Sequence, residues 1–447
     1  MKLVVQKFGG SSVADPERMR RCAERVIDAK RRGLDVVVVV SAMGDTTDDL
    51  IDLMNRVCDS PPRREVDQLL ATGEQVSIAL MAMTLCAMGV PAVSLTGGQA
   101  GIVTEPMHTR AKIKSVARTR LERELAAGRV PVVAGFQGLA DGTGSDGRVG
   151  GECIADTTTL GRGGSDTTAV ALAAALGADE CEIYTDVDGI YTADPRIVPT
   201  ARLKATISYD EMMEAASQGA RVMHLRAVEL GKKAGVPIRV LHSQRAPGAG
   251  ELHRGTLITV EDPSMMEGRA VSVVTLKTDI GRVTLVDLPN KPGVQEAIFA
   301  PIAAAGISVD DIIQNEVEVP GPAAGHVGGR CNIAFTVDRP DLAEVRPIAE
   351  QVVRGLGGGQ VQVDTSLAKV SAVGVGMVSQ SGVASTMFKA LADENIPITN
   401  ITTSEIKISC LIPETLGKKA MQAVHDAFGL GSAETRVLAS DAARQAV

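Results

Sequence analysis

Through residues 1–245, short apolar runs rich in β-branched residues alternate with longer stretches of helical periodicity. Leu3–Phe8 predicts a strand. Asp15-Pro16 then supplies an N-cap and a first-turn proline to a helix reaching Arg32. Asp35–Ala42 is almost continuously apolar, the pattern of a strand buried on both faces. Helices are predicted over Thr46–Val57 and Glu65–Met88, and strands over Ala92–Leu95 and Val130–Phe136. Further on, the pattern predicts helix Asp166–Leu176, strand Cys181–Thr185, helices Tyr209–Ser217 and Val222–Lys233, and strand Ile238–Leu241. Strands separated by helices imply an α/β fold with a largely parallel sheet and helices on both faces. Gly138–Gly151 is a polar, glycine-rich loop.

Beyond Leu241 the pattern changes. The Gly/Pro-rich stretch His242–Glu251 opens a linker, taken over 246–269, and strand–helix–strand units follow. Gly293-Val294, Phe299, Ala303, Ile307, Ile312 and Glu316 recur 89 positions later as Gly382-Val383, Phe388, Ala392, Ile396, Ile401 and Glu405. A shared offset of this kind marks a duplicated α+β module, expected over 270–355 and 366–440. Neither copy holds a nucleophile–base pair, which points to regulation or assembly rather than catalysis.

Composition narrows the function. Aromatics are 2% of the chain and Trp is absent, which argues against the stacking platforms of single-strand nucleic-acid binders. A formal charge of −8 argues against phosphate-backbone binding. Seven dispersed cysteines without a C-x-x-C pair read as reduced thiols, and six histidines lack metal-ligand spacing. No secretory leader pattern opens the chain, and the densest apolar stretch, Ile78–Val90, reads as a buried helix rather than a membrane span. A cytoplasmic enzyme without membrane or nucleic-acid partners is the expectation.

Two glycine-rich loops carry the chemistry. Lys7-Phe8-Gly9-Gly10-Ser11-Ser12 lies between a strand and a helix, where bare amides and a lysine suit a transferring phosphoryl group; the alternative is a plain turn with a solvated lysine. Gly161-Arg162-Gly163-Gly164-Ser165-Asp166 runs into an alanine-rich helix. Arg162 can grip a carboxylate through two parallel hydrogen bonds, and Asp166 either caps the helix or orients a lysine. Thr72-Gly73-Glu74 reads as a helix opening, with Glu74 either a favourable dipole partner or a hold on a substrate ammonium. Ser41–Thr47 follows a buried strand, at the carboxyl edge where open α/β sheets bind ligands. Tyr184–Pro195 carries Asp186, Asp188 and Asp194 but lacks EF-hand spacing, so nucleotide binding fits it better than calcium. Gly142–Gly147 matches G-x-G-x-x-G but leads into no helix, and is a loop.

Lys7–Ser12, Ser41–Thr47, Gly73-Glu74, Gly161–Asp166 and Asp186–Arg196 together resemble the aspartate kinases of the amino-acid-kinase family, and the likeness covers essentially the whole chain. The resemblance implies a three-layer αβα sandwich kinase domain followed by two ferredoxin-like ACT domains. It implies that Lys7, Phe8, Gly9 and Gly10 cradle the phosphates of ATP, brought with Mg2+ and with no separate protein metal site. Ser41, Thr47, Glu74 and Arg162 would bind aspartate, and Asp166 would organise the catalytic Lys7. Tyr184, Thr185, Ile190, Tyr191, Thr192, Ala193, Asp194 and Pro195 would line the nucleotide, with Arg221 standing where the family has Lys. An effector, lysine or threonine or both, would sit among Asp310, Gln314, Val383, Ala384, Ile398, Ser404 and Glu405. Homo-oligomerisation through the ACT domains, and a short subunit started internally near Met265, are further implications. The chemistry is self-consistent: a carboxylate of solution pKa about 3.9 is already ionised, so its phosphorylation needs no general base. A kinase for another acceptor and a decayed amino-acid sensor are the rival readings.

Overall fold

The valines Val36–Val40 are fully buried in the middle of a sheet in the computed structural model, which describes residues 2–141, 156–220, 222–245, 255–260, 270–317, 329–378 and 380–432. The chain divides into two units. The first runs β1 (Leu3–Phe8), α1 (Pro16–Arg31), β2 (Asp35–Val40), α2 (Thr46–Val57), α3 (Arg63–Ala87), β3 (Ala92–Leu95), β4 (Ile102–Thr104) and β5 (Ile113–Val116). It continues through α4 (Thr119–Ala126), β6 (Val130–Ala134), β7 (Gln137–Ala140), β8 (Thr157–Thr159), α5 (Gly164–Leu176) and β9 (Glu180–Thr185). It closes with β10 (Thr206–Ser208), α6 (Tyr209–Ser217), α7 (Leu225–Ala234), β11 (Ile238–His242) and β12 (Thr256–Thr259).

Eight strands form one sheet in the order β10-β12-β11-β9-β1-β2-β6-β3, parallel except where β11 meets β12. β1 lies between β2 and β9, so the strand order reverses there and a crevice opens at the carboxyl ends. Asp15 caps α1 as its sequence predicts, accepting from the Arg18 N–H. The predicted strand Val130–Phe136 instead breaks at Gly135, because the chain turns through Phe136 at φ 67° into β7. A second sheet, β5-β4-β7-β8, has no counterpart in the sequence reading; its strands are three or four residues long. Thr256–Thr259 was expected in the linker but pairs with β11 and β10, and Thr256 Oγ1 receives the Ile190 N–H at 2.8 Å. α3 is long and apolar enough to cross a bilayer, yet Ile78, Met81, Ala82 and Leu85 pack into the core with the β2 valines.

The second unit comprises 193–201, 218–220 and 269–447. Its elements are β13 (Val273–Lys277), β14 (Ile280–Pro289), α8 (Val294–Ala304), β15 (Asp310–Val317), β16 (Arg330–Asp338), α9 (Leu342–Gly355) and β17 (Gln360–Asp364), followed by β18 (Leu367–Val373), α10 (Val383–Asp393), β19 (Asn400–Ser404), β20 (Lys407–Pro413) and α11 (Gly417–Ala427). The duplicated helices α8 and α10 begin at Val294 and Val383, each after a left-handed glycine, Gly293 (φ 92°) and Gly382 (φ 89°). The sheets are β15-β16-β14-β17 and β13-β18-β20-β19, both antiparallel. This corrects the expected division at 355/366. β13 pairs with β18 and so completes the second module, while β17 pairs with β14 and completes the first.

The boundary expected at 245 is also crossed. Ala193 and Val198 are buried in the core of the second module, and Ser371 donates to Gln218 Oε1 at 3.3 Å. Burial of two apolar side chains and one amide assigns these short segments to the second unit.

Candidate functional site

β1 ends at Lys7-Phe8 inside the crevice, and α5 begins opposite. Lys7 Nζ lies 2.6 Å from Asp166 Oδ1, and both residues are buried. Gly163, at φ 69°, precedes α5, so Asp166 sits in the first helical turn and is not the cap that one reading made it. Its carboxylate is thereby free to hold the lysine.

The loops at the sheet edge interlock through glycine. A Cβ at Gly10 would lie 2.7 Å from Ala42 O, and one at Gly73 would lie 2.9 Å from Ala42 Cβ. The backbone N–H of Gly44 donates to Gly10 O at 3.0 Å. The Ala42 N–H in turn donates to Glu74 Oε1 at 3.2 Å, while Glu74 Oε2 is buried without a hydrogen-bond partner among the described residues. Glu74 is far inside α3 rather than at a helix opening, beyond the reach of the helix N-terminal dipole. Burial pushes its carboxyl up to about 7, and hydrogen bonds within the helix and from Ala42 offset part of that rise. The buried Oε2 is thus left without a donor to offset its desolvation. Ser41 follows β2 and Thr47 lies in the first turn of α2, both partly exposed beside this edge. Arg162 is exposed between Gly161 and Gly163, both in the left-handed region.

Other predicted nucleotide residues play supporting parts. Phe8 and Tyr184 are buried and stacked at 4.8 Å between ring centroids, and the Tyr184 hydroxyl donates to Glu182 Oε2 at 2.9 Å. Their rings are packed beneath the loop, and Tyr184 O receives the Gly9 N–H at 3.3 Å. Thr185 is partly exposed at the end of β9, with its hydroxyl on Asp186 at 3.1 Å. Ile190 and Thr192 are buried, and Tyr191 donates to Asp188 Oδ2 at 3.1 Å. Ala193 belongs to the core of the second module, so its side chain is unavailable to a ligand. Asp194 pairs with Arg196 at 2.8 Å, and Pro195 is exposed. Arg221 lies outside the described residues, as do Met265 and Met266 and residues 142–151 of the predicted glycine-rich loop.

Sequence reasoning missed His224 and Arg226. His224 caps α7 and lies so near Gly163 that a Cβ there would fall 2.1 Å from the ring. Arg226 donates to Leu160 O at 2.6 Å and Ala111 O at 3.0 Å. Neither residue sits in a recognisable motif, so only their approach to the Gly161–Asp166 loop reveals them.

In the second unit, Asp310 (β15) reaches Lys369 on β18 of the other module at 2.8 Å, and Asp311 pairs with the same ammonium. Burial alone would raise the Asp310 carboxyl, but the Lys369 ammonium beside it holds it below the usual carboxylate range. Gln314 instead bonds within its own module, accepting from Gln295 at 2.8 Å and donating to Asn290 at 3.3 Å. Val383 and Ala384 open α10, Ile398 packs against that module's core, and Ser404 and Glu405 are exposed at the end of β19. Lys369, fully buried within Leu367–Val373, was not anticipated.

Residues 2–242 match the amino acid kinase family, and residues 282–354 and 370–428 each match the ACT domain. The chain is 48% identical over 432 residues to an aspartokinase of Pseudomonas aeruginosa, covering 96% of this chain and 98% of that protein. An aspartokinase of Mycobacterium tuberculosis is 46% identical over 440 residues, covering 97% and 98%. Among solved structures, E. coli aspartokinase III in complex with aspartate and ADP (R-state) aligns with TM-score 0.74 at 25% identity, covering 95% of this chain and 99% of that one. The same enzyme in complex with lysine and aspartate (T-state) aligns with TM-score 0.68 at 25% identity and the same coverage.

The raised Glu74 carboxyl makes a stability prediction. The folded ligand-free protein holds this proton where the unfolded chain releases it, so the contribution is full below the ordinary carboxylate range and is lost as pH rises through about 7. Replacing Glu74 by Gln removes that slope. Chemical denaturation between pH 5 and 8 should show the variant gaining on the parent as pH rises, by a few kcal/mol at most. Parallel pH curves would reject the assignment.

Proposed function

The chain belongs to the amino acid kinase family as an aspartate kinase, and we propose that it transfers the γ-phosphoryl group of ATP to the side-chain carboxylate of L-aspartate through the crevice at β1. The observation that carries this reading is the buried Lys7–Asp166 pair between two glycine-rich loops. A carboxylate oxygen attacks the γ-phosphorus, the bond to the β-phosphate bridging oxygen breaks, and 4-phospho-L-aspartate and ADP leave. No proton moves. The task is to bring two anions together, and Lys7, steadied by Asp166, supplies a fixed positive charge where negative charge moves to the leaving oxygen. The Gly9 N–H stays on Tyr184 O, so the Gly10 amide at the start of the following turn is the one offered to the phosphates, while Glu74 takes the substrate ammonium and Arg162 takes a carboxylate. Asp188, whose Oδ1 is buried without a hydrogen-bond partner among the described residues, and Asp166 would hold the waters of a Mg2+ brought with ATP, which would supply neutralisation of phosphate charge.

We place the product at the head of lysine, threonine, methionine and diaminopimelate synthesis, with lysine or threonine acting back through the ACT modules. The complex of lysine with the E. coli relative supports an amino-acid effector. Exposed Ile312 and Ile401, at duplicate positions on the edge strands β15 and β19, support self-association through the modules. A second subunit begun at Met265 or Met266 would keep both modules, whose described strands start at Val273. The six cysteines among the described residues are all free, in keeping with a cytoplasmic enzyme.

Lys7→Ala should lower kcat by about 10²–10³-fold in a coupled assay of ADP release, the loss typical of one preorganised electrostatic group. Turnover near that of the parent would remove Lys7 from the phosphoryl path. The KM for aspartate should fall as pH rises through about 7, where Glu74 ionises, and Glu74→Gln should raise that KM and flatten its pH profile while the KM for ATP holds. Feedback is tested by titrating lysine, threonine and their mixture: Asp310→Ala should move the inhibition curve about 10-fold or more to higher effector. A parent enzyme insensitive to all three at millimolar levels would leave the modules with assembly alone.

A further inference from the structure

Asp67 is fully buried in the second turn of α3, where a carboxyl group is costly unless its oxygens are bonded. It is bonded on all sides. Oδ1 accepts the Thr159 hydroxyl at 2.5 Å, both oxygens accept the Thr109 N–H at 3.0 Å, and His108 Nδ1 lies 2.8 Å from Oδ2. Thr109 is left-handed at φ 69°, a strained conformation for a β-branched residue, and the Asp67 bond holds it there. The carbonyl oxygen of Thr109 packs against Gly161: a Cβ at Gly161 would lie 3.1 Å from it. Thr159 is three residues before Arg162, and Gly161 immediately precedes it.

Asp67 also precedes Glu74 by seven residues on one helix, which places the two on the same face about 10 Å apart along the axis. From this juxtaposition we propose that Asp67 is a positioning residue for aspartate, setting the separation between Glu74 on α3 and Arg162 on the loop after β8. It touches no substrate. It ties the element that bears the ammonium site to the segment that bears the carboxylate grip, and so selects a substrate whose charged ends match that span. The inference rests on the reading of Glu74 and Arg162 as the two holds on aspartate.

The test measures KM for aspartate and for ATP, with kcat, in Asp67→Ala, Asp67→Asn, Thr159→Val and Arg162→Ala, and in the double variant Asp67→Ala/Arg162→Ala. Asp67→Ala should raise the KM for aspartate about 10-fold or more with that for ATP unchanged, and Thr159→Val should give a smaller shift of the same kind. Asp67→Asn should restore most of the loss, since its amide can still receive the Thr109 N–H. If Asp67 acts through Arg162, the double variant loses markedly less than the product of the two single losses. Additive losses, or equal weakening of both substrates, would overturn the inference. Were Asp67→Ala to fail to fold, as judged by circular dichroism, Thr159→Val and a Thr159→Val/Arg162→Ala cycle decide on the same criteria. If Arg162→Ala and Glu74→Gln themselves leave the KM for aspartate unchanged, the substrate reading fails. If they raise it and Asp67→Ala and Thr159→Val do not, only the positioning role fails.

Discussion

A lysine and an aspartate removed from water at 2.6 Å are the interaction on which this site is built. Neither charge is tolerable there alone, because burying an unpaired ion costs several kcal/mol or more. The pair therefore couples the end of β1 to the first turn of α5, two elements far apart in sequence. Parallel pairing of β1 with both β2 and β9 puts that coupling at the reversal of strand order, where the loops of all three strands open to one side.

Close approach then transmits this arrangement outward. Gly10 and Gly73 both lie against Ala42, leaving no room for a Cβ, and the Ala42 N–H reaches Glu74. Gly163 lies against His224 in the same manner. In each case the glycine is dictated less by turn geometry than by what stands beyond it. The glycine loops are thus packing surfaces.

In the second unit one module is inserted into the other. The second module takes its fourth strand, β13, from the far side of the first in sequence, so it is completed only after the chain has passed through the consecutive strands β14–β17 of the first. The buried Lys369, held by Asp310 and Asp311 across the modules, makes that junction electrostatic as well as covalent. The Asp310 carboxylate is thus already engaged with an internal ammonium.

The sequence alone determined what local periodicity and short strings can encode. The valine run and the capped α1 were legible because each is specified by neighbours in the chain, and the seven pairs at an offset of 89 gave the duplication; α2, β3 and α6 appeared at their predicted bounds. The glycine-rich strings likewise singled out Lys7, Glu74, Arg162 and Asp166 as candidates. Only the tertiary structure decided which module owns β13 and β17, since strand pairing is made across the chain and leaves no local mark. It alone set Phe8 and Tyr184 beneath the loop, put Ala193 in another core, and brought Asp67 beside Thr109 and Thr159. β5, β4, β7 and β8 were missed because three or four residues carry too little periodicity to read. A buried carboxyl or lysine is equally silent in sequence, because what makes it tolerable is a partner tens of residues away that folding alone supplies.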